Sequence, residues 1–370
     1  MQLNNENLSN QVGPLLSIIV PTYNEADNII HLIYRIEKVL TKSIDYEVIV
    51  VDDDSPDGTA LVASNLGENY PVRVILRKDV RGLASAVVRG FDCSKAQMLI
   101  VIDADLQHPP ETIPLLVRQI CNGADIAISS RYALGGGMEK WRITRRFISK
   151  FATILTKIML AKTRDVSDPL SGFFAVTKKT VEDVRLRPIG YKILLEVLAL
   201  GRYNTVSEIP YTFYERVEGK TKYNTKEVIN FLHHLISLGW RTGEITRIFK
   251  FILVGAIGIV INEGLLYLLT NQVGLFYLLS SVIAVQIAIL NNFVWNHLWT
   301  FHDRRTIKDS VWYKLAKFEL VSIGGKLANI LVLYLMVAFL DVHYLIANLF
   351  GIAAGFVINF LLNNIWTWRK

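Results

Sequence analysis

Two long runs without a single Asp, Glu, Lys or Arg restrict what this chain can fold into. The first covers 39 residues from Gly264 to His302, and the second covers 27 residues from Val342 to Trp368. A helix needs about 20 apolar residues to cross the roughly 30 Å hydrocarbon core of a bilayer, so the first run holds more than one crossing. Turn signals at 271–274 and 341–343 then give four predicted spans, near 249–270, 276–298, 318–340 and 344–367.

Basic residues are distributed unevenly around these spans. Both predicted reversals lack Lys and Arg, whereas the connection over 303–317 carries five of them, and the whole chain has a net charge of +7. Because positively charged loops stay on the cytoplasmic side, both termini and the large N-terminal part are expected to be cytoplasmic. The basic segments flank apolar stretches, which indicates contact with membrane lipids or phosphate ligands. No nucleic-acid-binding motif is present in the sequence, so nucleic acid is not an expected partner.

The membrane part contains an internal repeat. Shifting residues 251–301 by 67 positions onto 318–368 gives 15 identities in 51 positions. Each half is therefore predicted to form one helical hairpin, duplicated in parallel orientation. Asn292, Asn296, Asn359 and Asn363 are expected to hydrogen-bond between helices. The identities include pairs that apolar composition does not readily supply: Asn262 with Asn329, Asn296 with Asn363, Trp299 with Trp366, and Thr300 with Thr367.

Two ionisable residues and three tryptophans stand out within the predicted spans. Glu263 and Lys326 are either functional groups or a mutually paired structural contact, because ionisable side chains are costly inside a membrane. The tryptophans are expected at the level of the lipid headgroups, where their amphipathic rings are commonest. They are Trp299, Trp366 and Trp368.

From Leu16 onward, short apolar strands alternate with helical stretches. This alternation predicts an α/β fold with a mostly parallel sheet that is covered on both faces and binds ligands at the carboxyl ends of its strands. Residues 1–15 show no apolar period and are expected to be a disordered tail or a leader left from expression. The predicted strands cover 16–21, 47–52, 72–76, 98–103 and 125–129.

The predicted strand at 98–103 ends in a pair of carboxylates, Asp103 and Asp105. Alternate residues of a strand point to the same face, so both are expected together at an exposed strand end. With the carbonyl oxygen of Gln107 they suit a hard divalent cation, Mg²⁺ or Mn²⁺, which keeps water ligands and binds a diphosphate. The alternative is that the two Asp side chains cap the loop and the helix that follow.

Two amphipathic stretches with basic polar faces separate the sheet from the spans. They cover 144–161 and 226–239, and each is either a helix in the membrane interface or an ordinary helix packed on the sheet. We therefore divide the chain into an α/β domain over 16–225 that includes helix 144–161, an interface helix and linker over 226–246, and an all-α membrane domain over 247–370 with four helices in two hairpins.

Seven motifs, taken together and in order, resemble the inverting family 2 glycosyltransferases of GT-A fold over about residues 16–240. Within that family they are most similar to the dolichyl-phosphate mannose synthases, and the repeated hairpins resemble small membrane modules found with such enzymes. The second motif departs from the family pattern at Asp54, where Gly is commonest, which leaves the loop conformation open. The motifs are PTYNEADNI at 21–29, VVDDDSPDGTA at 50–60, DADLQHPPE at 103–111, SSRYALGGG at 129–137, DPLSGFF at 168–174, GYKILLE at 190–196 and YERVEGKTKY at 214–223.

The resemblance implies a role for individual residues of these motifs. Nucleotide-sugar and metal ligands follow from the matching positions, and the acceptor ligands are basic or hydroxyl side chains expected near the membrane surface. The residues expected in these roles are Pro21, Tyr23, Glu25, Asp53, Asp103, Arg216 and Lys222 for the nucleotide sugar, Asp103, Asp105 and Gln107 for the metal, Arg131, Arg145 and Ser149 for the acceptor phosphate, and Asp103, Asp105 and Arg131 for catalysis.

The resemblance also implies a reaction, the inverting transfer of mannose from GDP-mannose to dolichyl or another polyprenyl phosphate on the cytoplasmic face. A phosphate monoester is largely dianionic at neutral pH, so such a site needs no strong general base but must hold two anions close together. Two alternatives stay open. One is a polyprenyl-phosphate glucosyltransferase that uses UDP-glucose, and the more distant one is a subunit that transports lipid-linked sugars through Glu263, Lys326 and the Asn-rich hairpins.

Overall fold

The computed structural model of the protein describes residues 15–40, 44–78, 81–139, 143–214, 225–304 and 310–368. Two compact units are present, with the boundary between Thr242 and Gly243. Residues 1–14 of the predicted tail and the predicted donor ligands Arg216 and Lys222 lie outside the described residues.

A seven-stranded sheet forms the centre of the first unit. Its strand order is β3-β2-β1-β4-β7-β5-β8, and all strands run in the same direction except β7, which is antiparallel to both of its neighbours. A separate two-stranded ladder joins β6 to β9. The strands are β1 Leu16–Thr22, β2 Tyr46–Asp52, β3 Val72–Leu76, β4 Met98–Val101, β5 Ile126–Ser130, β6 Gly137–Met138, β7 Phe174–Thr177, β8 Val206–Pro210 and β9 Thr212–Phe213.

Apolar side chains that alternate along the strands cover both faces of this sheet. Ile18 and Val20 of β1 pack in the core with α1 and α4, whereas Ile19 packs in the opposite core with α3 and α7. Each such buried side chain stabilises the fold by roughly 1.5–3 kcal/mol, and the doubly covered α/β sheet is as predicted. The helices are α1 Ala26–Leu40, α2 Thr59–Leu66, α3 Leu83–Cys93, α4 Ile113–Cys121, α5 Ile143–Met159, α6 Lys178–Val181, α7 Ile193–Leu200 and α8 Thr225–Arg241.

Strand β4 is shorter than the sequence pattern predicts, and this changes the setting of the two carboxylates. The strand ends at Val101, so Asp103 and Asp105 lie in the loop that follows it. That loop passes through Leu106 in the left-handed region, with φ of 59°. Asp105 is buried with 4% of its surface exposed, so the prediction of an exposed strand end is wrong for this residue.

Helices α5 and α8 are the two predicted amphipathic stretches. Leu235 and Leu238 of α8 pack with Leu195 of α7, and Leu155 of α5 packs against the same cluster. Each helix also keeps large apolar side chains exposed on another face, including Phe147, Phe151, Ile229 and Trp240.

Four helices of the second unit are long and apolar enough to cross a membrane, over 244–272, 277–300, 311–340 and 349–367. Helix α9 packs on α10 and α11 packs on α12, so the two predicted hairpins are confirmed. The third begins at Val311 rather than near 318, because the mixed segment VWYKLAK before the apolar run, with its two lysines, continues the helix. The helices are α9 Glu244–Tyr267, α10 Tyr277–Trp295, α11 Val311–Leu340 and α12 Tyr344–Leu362, with π-helical turns at Leu268–Gln272, Asn296–Thr300 and Asn363–Thr367.

The repeat is visible in the packing of each hairpin. A methyl group at Gly258 would collide with the carboxamide of Asn292, and one at Gly325 would collide with that of Asn359. The buried Oδ1 atoms of these two Asn side chains have no hydrogen-bond partner among the described residues, so the predicted interhelical hydrogen bond is wrong for both. The carboxamides instead pack flat against a helix backbone that only Gly leaves open.

One of the three tryptophans is not placed as predicted. Trp299 and Trp366 are exposed, and each lies beside a lysine, Lys250 at 5.3 Å and Lys317 at 5.2 Å from the ring centre. Trp368 is instead fully buried, because its ring stacks within the cluster of aromatic side chains at this end of the bundle.

Candidate active site

The loops after β1 and β2 form one hydrogen-bonded wall at the carboxyl edge of the sheet. The backbone N–H of Asn24 donates to Ser55 Oγ (3.0 Å), and that of Glu25 donates to Thr59 Oγ1 (3.0 Å). The N–H of Ala26, the first residue of α1, donates to Asp57 Oδ2 (3.1 Å). The second motif therefore satisfies backbone donors that the start of α1 would otherwise leave without partners.

The structure shows the loop conformation at Asp54, the position where the family pattern commonly has Gly. Its φ is 57°, in the left-handed region that Gly adopts without cost. Asp is one of the few other residues that tolerate this conformation, so the loop keeps a turn that Gly would also form.

Four of the predicted nucleotide ligands, Pro21, Tyr23, Glu25 and Asp53, lie along this wall. Pro21 belongs to β1, and the Tyr23 hydroxyl accepts a hydrogen bond from Arg81 (3.3 Å). Asp53 is buried, and its two oxygens accept from Arg77 and from the backbone N–H of Gly82 (2.7 Å). Asp53 therefore fixes the loop between β3 and α3.

Asp103, Asp105 and Gln107 follow β4 at the same edge. Asp105 Oδ1 accepts the backbone N–H of Gln107 (3.1 Å), and the Gln107 side-chain nitrogen donates to the carbonyl of Tyr214 (3.2 Å). The Asp103 side chain is 28% exposed. A Cβ atom at Gly172 would lie 3.2 Å from Asp103 Oδ2, so a larger residue there would require this carboxylate to shift by a few tenths of an ångström.

This donor set fits a hard divalent cation. Two carboxylates and an amide oxygen are the ligand types that Mg²⁺ and Mn²⁺ prefer. The described residues hold no cluster of three or more His, Cys, Asp or Glu side chains that could bind a metal. These residues therefore suit an ion that takes only a few ligands from the protein and the others from water and from the oxygens of a bound diphosphate.

Arg131 forms a buried ion pair that the sequence did not reveal. Its Nε and Nη2 atoms donate to the two oxygens of Asp168, each at 2.7 Å, and its backbone N–H donates to the same carboxylate (3.1 Å). Burial alone would raise the pKa of Asp168, but the hydrogen bonds and charge of Arg131 hold it below its usual range. Asp168 opens the motif DPLSGFF, the one signal that could have identified it.

Lys192 is a second residue that sequence reasoning left without a role, although it lies in the motif GYKILLE. Its ammonium donates to the carbonyl of Leu170 (2.9 Å). Desolvation and the nearby charge of Arg131 lower the pKa of Lys192 to about 8, while Asp168 and Asp103 act in the opposite direction. The ammonium of Lys192 therefore lies close enough to Arg131 and to the candidate metal ligand Asp103 for their charges to affect its pKa.

Helix α7 begins directly after Lys192 and is fixed to α8 by a buried carboxylate. Glu196 of α7 is fully buried, and it pairs with His234 (3.2 Å) and Arg241 (2.5 Å) of α8. The backbone N–H of Arg187 donates to the same carboxylate (2.6 Å). Because a buried charge is stable only with such partners, this contact sets the position of α7.

The remaining predicted acceptor ligands lie on α5. Ser149 Oγ accepts a hydrogen bond from the Tyr132 hydroxyl (2.7 Å), and the Arg131 guanidinium lies 5.5 Å from the centre of the Tyr132 ring. Arg145 is half-buried, and its charge contributes to lowering the pKa of Lys192. The structure thus brings Arg131, Arg145, Ser149 and Lys192 to one end of α5.

Both units match known families. The family model described as "Glycosyl transferase family 2" matches residues 17–185, and the one described as "GtrA/DPMS, transmembrane domain" matches residues 250–368. A dolichol-phosphate mannosyltransferase of Pyrococcus furiosus is 47% identical over 353 residues, which cover 95% of this chain and 99% of that protein. One of Saccharomyces cerevisiae is 41% identical and covers 60% of this chain and 86% of that protein. A solved structure of glucosyl-3-phosphoglycerate synthase from Mycobacterium tuberculosis is 21% identical, with a TM-score of 0.48 over 61% of this chain and 80% of that chain.

Proposed function

Because the chain belongs to the dolichol-phosphate mannosyltransferases, which are membrane-bound family 2 glycosyltransferases, we propose that it transfers mannose from GDP-mannose to dolichyl or a related polyprenyl phosphate. The transfer inverts the anomeric configuration and takes place on the cytoplasmic face. The observation that carries the proposal is a group of cationic side chains near one end of α5: Arg131, which Asp168 holds at 2.7 Å, with Lys192 and Arg145 close enough for their charges to interact. The match to enzymes of this family favours transfer over the transport alternative.

The acceptor phosphate supplies its own nucleophile in this mechanism. Its second pKa is near 6, so an oxygen of the dianion attacks the anomeric carbon as the bond from that carbon to the GDP oxygen breaks. No proton needs to be removed, and GDP leaves with the electron pair. The protein therefore acts mainly by holding the two anions in line and by offsetting their charge.

Asp103, Asp105 and Gln107 are the residues that would hold the divalent cation, Mg²⁺ or Mn²⁺. The oxygen-only character of these side chains supports this assignment. When bound, the ion neutralises charge on the departing diphosphate. Pro21, Tyr23 and Glu25 are proposed to line the nucleotide, and Asp53 to position the loop beside it.

Arg131, Lys192, Arg145 and Ser149 are proposed to bind the acceptor phosphate. A phosphate needs several donors, and these four side chains supply guanidinium, ammonium and hydroxyl groups of the required kind. Exposed apolar side chains on α5 and α8 support docking of this unit at a lipid surface, where the acceptor resides. Arg216 and Lys222 stay proposed donor ligands outside the described residues.

A donor comparison tests the proposed substrate. The purified full-length enzyme is given a polyprenyl phosphate with GDP-mannose, UDP-glucose or UDP-galactose at equal concentration, and the lipid product is identified by mass spectrometry. We expect GDP-mannose to be used at least roughly 100-fold more efficiently, since polar groups built for one donor are left without partners by another. A preference for UDP-glucose would establish the glucosyltransferase alternative instead.

The pH dependence of acceptor use tests Lys192. Its pKa is lowered to about 8, so its positive charge is present below that pH and is lost as the pH rises through it. We expect kcat/KM for polyprenyl phosphate to fall about tenfold per pH unit on the alkaline side. Lys192→Arg keeps the charge and should remove this alkaline fall, whereas an unchanged profile in that variant would exclude Lys192 as its cause.

A further inference from the structure

Two charged side chains lie on the outer surface of the membrane helices. Glu263 belongs to α9 and Lys326 to α11, and both are exposed. Their neighbours about one turn away are large, exposed apolar residues, which mark the surface that faces lipid. These neighbours are Ile259, Val260 and Tyr267 around Glu263, and Ile323 and Ile330 around Lys326.

Neither charge has an ionic partner among the residues that the structure describes. Glu263 accepts a hydrogen bond from Asn262 (3.1 Å), and the ion pairs of this unit connect other residues, at the ends of the helices. Of the two alternatives for these residues, pairing of Glu263 with Lys326 within one chain is therefore not found among the described residues. A charged side chain that faces hydrocarbon without an ionic partner is costly, so we expect each of the two groups to have a partner outside the chain.

The internal repeat places the two charges at nearly the same depth. Glu263 follows Lys250 by 13 residues, which is about 20 Å along a helix and well inside the span over 244–272. The shift of 67 residues aligns Lys326 with Ile259, so Glu263 lies one helical turn, about 6 Å, farther along its own span. The flexible stem of Lys is long enough to bridge such an offset.

We propose that Glu263 of one copy of this chain pairs with Lys326 of a second copy, so that the membrane units associate side by side. The two groups have opposite charge, similar depth and apolar surroundings that two copies would bury together. Lipid phosphates lie at the bilayer surface, whereas the carboxylate and ammonium of two copies meet within it. Each such contact removes one Glu263 carboxylate and one Lys326 ammonium from lipid. A second copy of the chain is therefore the partner that fits both groups.

Charge exchange in the full-length protein tests this pairing. Donor- and acceptor-labelled copies are reconstituted in liposomes, and energy transfer is measured as the protein-to-lipid ratio is lowered. We expect Glu263→Lys and Lys326→Glu, each reconstituted alone, to associate roughly 10- to 100-fold more weakly than the original chain. A mixture of the two single variants should recover association, because each supplies the charge that the other lacks.

The mixture distinguishes pairing between copies from pairing within one chain. A double variant would regain the contact in either case, whereas two single variants regain it only across a shared interface. Glu319→Gln is the matched control, since that carboxylate accepts from Gln286 of its own chain (2.8 Å) and association should not change.

Full mannosyltransferase activity of each variant shows that it is folded. An original chain that stays monomeric at every ratio, or single variants that associate as it does, would overturn the proposal and leave Lys326 to reach the headgroups alone.

Discussion

Replacing Asp105 by Asn should lower kcat/KM for mannose transfer by about 10³-fold or more while the protein stays folded. Asn keeps the shape of this buried side chain and can still accept the backbone N–H of Gln107, which is bound at 3.1 Å. It removes the negative charge that a divalent cation requires of its ligands. The measurements are initial rates over a range of Mg²⁺ and Mn²⁺ concentrations, with thermal unfolding of the same sample.

Asp183→Asn is the matched control for that change. Asp183 is exposed and pairs with exposed Arg202 (2.8 Å), a contact that contributes little to stability. Its activity and unfolding temperature should stay close to those of the unmodified enzyme. Turnover near the normal rate in Asp105→Asn would exclude Asp105 as a required ligand, and normal turnover of the unmodified enzyme in excess EDTA would exclude the metal from the mechanism.

Asp168→Asn should be the most destabilising single change at the site. It leaves the buried Arg131 guanidinium without its carboxylate partner, which costs about 3–5 kcal/mol of the free energy of unfolding. The KM for polyprenyl phosphate should rise by about 10- to 100-fold, because Arg131 is no longer held in place. Thermal unfolding and acceptor kinetics of the full-length enzyme measure the two effects.

Two further variants separate the stability of this ion pair from its chemistry. Arg131→Leu combined with Asp168→Leu removes both charges of the pair, so most of the stability should return without activity. Arg145→Ala, on the half-buried face of α5, should weaken acceptor use with little loss of stability. If the combined variant is active, Arg131 is not an acceptor ligand.

The pH dependence of stability follows from the lowered pKa of Asp168. A group whose folded pKa is depressed contributes its stabilisation above its unfolded pKa and loses it as the pH falls through the folded value. The enzyme should therefore lose this contribution on acidification. Asp168→Asn should abolish that part of the acid sensitivity, as measured by unfolding temperature against pH.

Local sequence signals were sufficient for most elements of both units. The continuous apolar runs at 16–21 and 47–52 predict β1 and β2. The runs are continuous because helices cover both faces of these strands, so the apolar residues on each face are buried. The four membrane helices follow from the length and low charge of the apolar stretches, together with the turn signals between them. The hairpin repeat follows from identities such as Asn296 with Asn363, which no local requirement of a spanning helix explains.

Long-range contacts limited the prediction of the site. Arg131 and Asp168 are 37 residues apart, and nothing local to either residue indicates their pairing. Lys192 resembles any basic residue ahead of a helix until the fold encloses its ammonium. Asp105 looked exposed because strand alternation was extended past Val101, where the backbone has already left the ladder.

Antiparallel strand β7 limits how the chain length near the site can vary. Loops at the carboxyl edge normally leave a strand and can absorb inserted residues in the turn that follows, but the segment before β7 leads into a strand held on both sides by β4 and β5. One residue added or removed between Asp168 and Phe174 would shift Gly172 away from Asp103 and would at the same time separate Asp168 from Arg131. Insertions should therefore be tolerated far less in this segment than in exposed connections elsewhere in the unit.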